Sequence, residues 1–147
     1  MSDNLYLREA VEGDRDILFS WVNERETRKN SFDSHHITVE EHRSWFDRMR
    51  NDDDQIQYIL MKGEKPIGQI RVSIMGNEAE ISYSISHDER GYGYGKEIIR
   101  LVVGHVRKEH PGIEKLIGKV KPSNVASLRC FRENGFEDRY HAMELDI

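Results

Sequence analysis

Two rhythms of apolar and polar residues divide the chain. LYLRE (5–9) alternates and reads as a first strand. Gly13-Asp14 then opens a helix expected to run roughly from Asp14 to Arg28, with Ile17, Leu18, Trp21 and Val22 on its inner face. A polar stretch, KNSFDSHH, separates it from a second helix. Thr38 and Glu41 have the spacing of a capping box, and the helix they start buries Trp45, Phe46 and Met49. QIQYILMKG (55–63), KPIGQIRVSIM (65–75) and EAEISYSIS (78–86) return to period two, with turn residues at Gly63-Glu64 and Gly76-Asn77, and predict an antiparallel meander.

The second half alternates between element types. A helix from Lys96 to about Lys108 carries Ile98, Leu101, Val102 and Val106 and stops before Pro111-Gly112. EKLIGKVK (114–121) reads as a strand, and Pro122-Ser123 leads into a helix to about Asn134, capped by Gly135. FEDRYHAMELDI is expected to close the sheet with one or two short strands. The pattern is α+β, one domain over residues 1–147, with a strand–loop–helix–strand crossover in the middle.

Composition narrows the function. The chain has 147 residues, 27 acidic against 22 basic, and a net charge of −5, which argues against nucleic acid as the main partner. No apolar run reaches the roughly 18 residues that span a bilayer. The start, MSDNLYLREA, lacks the basic and apolar regions of a secretory signal, so a cytoplasmic protein is expected. Cys130 is alone, and the seven histidines form no H-x-x-x-H pair on one helix, so no metal is expected.

The candidate chemistry lies at SISHDERGYGYGKEIIRLVV (84–103), where glycines recur at 91, 93 and 95 between a strand and a helix. The spacing fits neither G-x-G-x-x-G nor a Walker phosphate loop. What remains is Arg90-x-x-Gly93-x-Gly95 at a helix start, where bare backbone N–H groups attract anions. Such a loop serves a phosphate-bearing ligand or is a plain glycine-rich turn.

AEISYSI, RGYGYGKEII and NVASLRCFRENGF together resemble the GNAT superfamily of acetyl-CoA-dependent N-acetyltransferases, over nearly the whole chain. The resemblance implies a mostly antiparallel central sheet of about six to seven strands flanked by about four helices, with acetyl-CoA as co-substrate. Carried over by position, the N–H groups of Gly91, Tyr92, Gly93, Tyr94, Gly95 and Lys96 contact the CoA pyrophosphate, with Arg90 opening the motif. The backbone of Tyr83, Ser84 and Ile85 pairs with the pantetheine arm, and Asn124 hydrogen-bonds it. Phe131 stands where many members carry a tyrosine that protonates the leaving thiolate, so the acid is unassigned, with Tyr83 and Ser127 as substitute hydroxyls. Glu80 matches the glutamate that some members use as a base; it shares a strand face with Ser82, Ser84 and Ser86.

The resemblance places the acceptor pocket in residues 20–46, where Arg28, Lys29, His35 and His36 can read a polar ligand. W-x-N, R-K-N-S and I-T-x-E-E-H-x-x-W-F look like a subgroup that acetylates amino sugars carried on nucleotides, by direct attack of the amine on the thioester. Arg28 and Lys29 then face the diphosphate. The alternatives are a protein N-terminal acetyltransferase of the ribosomal-protein type and a GNAT-fold domain that binds acyl-CoA without turnover.

Overall fold

Five strands form one sheet in the order in which they occur in the chain. In the computed structural model, which describes residues 4–147, these are β1 (Leu5–Glu9), β2 (Gln55–Lys62), β3 (Lys65–Met75), β4 (Glu78–Ile85) and β5 (Lys115–Gly118). Residues 1–3, the start of the segment read for a secretory signal, lie outside the described residues. The first four strands run antiparallel, and β5 lies parallel to β4 after the crossover. The helices are α1 (Arg15–Val22), α2 (Arg25–Asn30), α3 (Val39–Arg50), α4 (Tyr94–Glu109) and α5 (Val125–Glu133). This is the mixed α+β GNAT architecture expected from the sequence.

Alternation along the strands creates two unlike faces. Tyr58, Leu60, Ile70, Val72, Ala79, Ile81 and Ile85 point to one side, against Ile98, Ile99, Val102 and Val106 of α4. Ile98, Ile99 and Val102 are fully buried, and each stabilises the fold by about 1.5–3 kcal/mol relative to exposure. On the other side Ile59 and Met61 meet Leu18 of α1 and Phe46 and Met49 of α3. Beside that smaller cluster the same sheet face turns polar, with Gln57, Gln69, Arg71 and Ser84. In register, Arg71 stands opposite Gln57 on one side and Ser82 on the other, and Gln69 opposite Ser84.

Three expectations need correction. The helix expected over 14–28 is broken in two. Asn23 leaves it to clasp the backbone of Ile37, donating to its carbonyl and accepting from its N–H, both at 2.8 Å. Glu24 is extended (φ −62°, ψ 140°) and caps α2 by accepting from the N–H groups of Glu26 and Thr27. Side chains that satisfy backbone in this way compete with helix continuation. Secondly, the tail adds no strand, so the sheet has five strands among the described residues instead of six or seven. Residues 137–147 are charge-rich and exposed, and Tyr140, Met143, Leu145 and Ile147 bury little against the sheet.

Thirdly, β5 is half the length expected, because a helix residue occupies its end. A Cβ at Gly118 would sit 2.5 Å from Cζ and 3.0 Å from Cδ1 of Phe131. The phenyl ring lies against bare backbone there, with edge contacts to Tyr83 and Phe136 at centroid distances of 5.8 Å and 5.0 Å. Gly118→Ala should therefore overpack this contact and cost about 1–3 kcal/mol, read as a lower urea midpoint at unchanged slope. Gly104 lies in α4 with open space where its Cβ would go, and is the control. Gly104→Ala should stabilise by roughly 1 kcal/mol. A Gly118→Ala midpoint equal to wild type would disprove the wedge.

Candidate active site

The sheet opens between β4 and β5. Pairing stops at Ile81–Gly118, while β4 continues to Ile85. From Ser82 onward the β5-facing edge of β4 has no strand partner, leaving the backbone of Tyr83, Ser84 and Ile85 able to bind an amide-rich ligand. A single 3-10 turn, His87–Glu89, then leads to the glycine loop. Gly91 and Gly93 have φ of +86° and +84°, and no atom lies within 4 Å of where their Cβ atoms would be. Gly93 caps α4 with no side-chain hydrogen bond, and the free N–H groups of a helix's first turn attract anions. These features fit a ligand with a pyrophosphate and an extended amide arm.

Gly95 does different work. A Cβ there would come within 2.9 Å of Cys130 Sγ and 3.5 Å of the Tyr83 ring, so this glycine seats α4 on α5 and β4. Tyr92 is exposed and Tyr94 buried. Lys96 lies 3.8 Å from Glu133. Arg90 turns away from the loop: it donates to Glu24 at 2.7 Å, to the Thr27 hydroxyl at 3.3 Å and to the Ile85 carbonyl at 3.1 Å. Asn124 caps α5 through its side-chain oxygen, which accepts from Ser127 N–H, and its NH2 group takes no part in that cap. Tyr83 donates to the buried Ser127 hydroxyl at 2.9 Å. Burial raises the Tyr83 pKa above the ordinary phenol value, against the opposing pull of that hydrogen bond. Phe131, expected beside the cofactor, is buried in the main core.

Across the sheet lies a cavity of about 490 Å³ between the polar sheet face and α1–α3. Its floor is a hydrogen-bonded chain in which Gln57 donates to Gln69 at 2.7 Å and Gln69 donates to the Ser84 hydroxyl at 3.0 Å. Arg71 lies beside this chain, its guanidinium carbon 5.4 Å from the Trp45 ring centroid. Trp21, Trp45, His42 and Ile37 form walls, with Arg28, Glu41 and Arg48 also lining the space. Burial, with the charge of Arg15, holds the His42 pKa below its ordinary value, which favours a neutral ring.

Of the four residues expected to meet the acceptor, Arg28 lines this cavity. Its guanidinium is largely taken up by the loop that follows: it donates to the carbonyls of Val22 (2.6 Å), Asp33 (3.1 Å) and His35 (3.3 Å), and to Ser31 Oγ. Lys29, His35 and His36 stand outside the lining. His35 is clasped by Asp33 at 2.5 Å and Glu41 at 3.2 Å, and both contacts raise its pKa. Glu80 shares the polar face but lies beyond the cavity, 3.1 Å from Lys119. Gln57, Gln69, Arg71 and Trp45 were not anticipated as site residues. The signal for three of them was present: a polar position every second residue on neighbouring strands.

Residues 4–137 match the family model described as an acetyltransferase (GNAT) domain. No curated protein matches the chain. Among solved structures, spermidine N-acetyltransferase from Vibrio cholerae, in complex with CoA and spermine, is similar at a TM-score of 0.87 and 18% identity, over 97% of this chain and 86% of that one. A domain from Methanocaldococcus jannaschii gives 0.85 at 20% identity, over 97% and 94%. Aminoglycoside acetyltransferase AAC(6')-Ib in complex with coenzyme A gives 0.80 at 21% identity, over 92% and 86%. Identities this low establish a shared fold.

The Glu24–Arg90 pair ties the two halves of the site and makes a pH prediction. Burial by itself would raise the Glu24 pKa. The hydrogen bonds from Arg90 and from the Glu26 and Thr27 N–H groups outweigh it and bring the value from 4.5 to about 2. A depressed carboxylate contributes stability that is fully present above the unfolded value and is lost as pH falls through the folded one. The wild type should therefore lose stability between about pH 4.5 and 2 more steeply than Arg90→Met, in urea denaturation at each pH. Parallel curves would show that the pair contributes nothing.

Proposed function

The chain belongs to the GNAT acetyltransferase family, and we propose that within it the acceptor is the primary amine of a nucleotide-linked amino sugar. It is an acetyl-CoA-dependent N-acetyltransferase, and acetyl-CoA supplies the activated acetyl thioester. The open β4 edge and the glycine loop support a donor site in which residues 91–96 hold the pyrophosphate through backbone N–H groups. Tyr83, Ser84 and Ile85 pair with the pantetheine arm, Asn124 offers its NH2 group, and Lys96 adds charge. Arg90, already engaged with Glu24, braces this loop.

The acceptor amine attacks only when neutral. A lysine-like amine with pKa about 10.4 loses about 4 kcal/mol to deprotonation at pH 7.5 and one near 7.8 well under 1, and in either case a base takes up the proton released on attack. Glu80 lies on the polar face of β4 and is the carboxylate proposed to take that proton, directly or through water. The leaving thiolate, of a thiol with pKa about 8.5, makes a modest demand on an acid. Tyr83 and Ser127, one hydrogen-bonded pair between β4 and α5, are the proposed proton source in place of the phenol that Phe131 lacks.

One observation carries the choice of acceptor. The charged lining of the cavity is three guanidinium groups, Arg28, Arg48 and Arg71, against one carboxylate, Glu41. The solved V. cholerae relative holds spermine, a polycation, and such a ligand would meet like charge here. An anionic acceptor with a ring to stack on Trp21 and Trp45 fits instead, and about 490 Å³ lies within the usual range for a small-molecule site.

Glu80→Gln should lower turnover about 10²-fold or more while the dissociation constant for acetyl-CoA, by calorimetry, is nearly unchanged. Wild-type turnover from pH 6 to 9 would remove Glu80 from the mechanism. For the acceptor, thiol release should be followed with a nucleotide-linked amino sugar, spermidine and a short peptide. The sugar is expected to lead in kcat/KM by about tenfold or more, the worth of one charge-assisted phosphate contact. Thiol release with peptides and none with sugars would put the N-terminal acetyltransferase reading in its place.

A further inference from the structure

Arg71 differs from three other half-buried arginines, Arg8, Arg28 and Arg90, in having no oxygen to hold. Arg8 is forked onto Asp14, Arg28 onto loop carbonyls and Arg90 onto Glu24. Among the described residues, no carboxylate, carbonyl or hydroxyl oxygen lies within hydrogen-bond distance of the Arg71 guanidinium. Its closest described relations are the Trp45 ring and the charge of Glu80, whose own near partner is Lys119. Burial pulls the Arg71 pKa down, and Glu80 only partly restores it. A half-buried cation whose five donors meet the cavity instead of a protein oxygen is satisfied best by oxygens that the cavity's occupant supplies. Its planar fork matches the two oxygens of a carboxylate or phosphate, and the indole behind it fixes the plane.

Position adds the rest. Arg71 faces Ser82 directly across the β3–β4 pair, where opposite Cβ atoms stand about 4.5–5.5 Å apart. Ser82 begins the unpaired stretch of β4 along which the pantetheine arm is proposed to lie. We infer that Arg71, backed by Trp45, is the subsite for an oxyanion of the acceptor, a carboxylate or phosphate that neighbours the reacting amine on the same ring. This rests on the reading that the cavity takes an anion-bearing amine, and it assigns the anion to Arg71 ahead of Arg28. Ser84, whose oxygen accepts from Gln69, keeps its own proton for the same ring.

Trp21 and Trp45 are the two tryptophans of the chain, so in a Trp21→Phe background the fluorescence reports on the ring beside Arg71. That protein is titrated with inorganic phosphate and, separately, with malonate, with coenzyme A in excess to fill the donor loop. A saturable change is expected, with the midpoint raised about tenfold or more in Arg71→Gln. Arg71→Lys, which keeps the charge and loses the fork, should fall between. Response to malonate identifies a carboxylate subsite, and response to phosphate alone a phosphate subsite. No saturable binding to the starting protein, or an unchanged midpoint in Arg71→Gln, overturns the inference, as does loss of binding in Arg28→Gln instead. A second arm compares glucosamine 1-phosphate with methyl glucosaminide as acceptors. Arg71→Gln should abolish the preference for the phosphorylated sugar. If neither sugar is acetylated, the anion titration alone decides the subsite, and the nucleotide-linked sugar assay decides the acceptor separately.

Discussion

The contact between Phe131 and bare backbone at Gly118 sets the geometry on which the donor side depends. Because the ring occupies the space beside β5, that strand pairs with β4 over Glu78–Ile81 and no further. Without the wedge, EKLIGKVK would continue as a strand and consume the β4 edge that the donor arm needs. The same helix is held at a second point, where Cys130 meets Gly95 at the start of α4. Thus two glycines, one in β5 and one in the loop motif, serve helix packing. The other two, Gly91 and Gly93, provide the left-handed turns that aim backbone N–H groups outward. One glycine-rich string carries both tasks, and its sequence does not separate them.

The acceptor side is fixed to this frame through charge. Glu24 caps α2 with its carboxylate and receives Arg90 on the same oxygen that accepts from Thr27. Arg90 in turn grips the carbonyl of Ile85 at the end of β4. From α2, Arg28 reaches forward to the carbonyls of Asp33 and His35, and Asn23 fastens Ile37. A chain of side-chain-to-backbone bonds therefore runs from the glycine loop to the rim of the cavity. Arg28, which also lines the cavity, and Arg90 thus fasten a loop rich in polar residues.

Which features were legible follows from how far apart their causes lie in sequence. The meander, the crossover helix and the Thr38 cap were readable because period, turn residues and capping act within a few residues. The break after Val22 was not, since it depends on Ile37 and Arg90, 14 and 66 positions away. The missing tail strands show the converse limit: alternation at Met143, Leu145 and Ile147 has no force without a surface to bury against. On the donor side the glycine string was legible as a loop, whereas the packing of Phe131 against Gly118, 13 positions away, was not. On the acceptor side, residues were sought in the segment 20–46, whereas the floor of the cavity comes from strands. Gln69, Arg71 and Ser73 hold the same parity in β3 as Glu80, Ser82 and Ser84 in β4, and only the register unites them.

Register also explains how one fold accepts amines of opposite surroundings. Backbone groups are indifferent to side-chain charge, and the fold that arranges them is shared at 18–21% identity with the relatives described. The acceptor floor is made of outward-facing strand positions, each replaceable without disturbing the core on the opposite face. Charge there can invert at little cost to folding. In this chain it has become positive inside a molecule of net charge −5. At physiological ionic strength the Debye length is about 8 Å, so the distant carboxylates are screened from a ligand in the cavity. The guanidinium groups in contact with it are not. Local lining outweighs net charge, and Arg71 is the one of the three that makes no hydrogen bond of its own among the described residues.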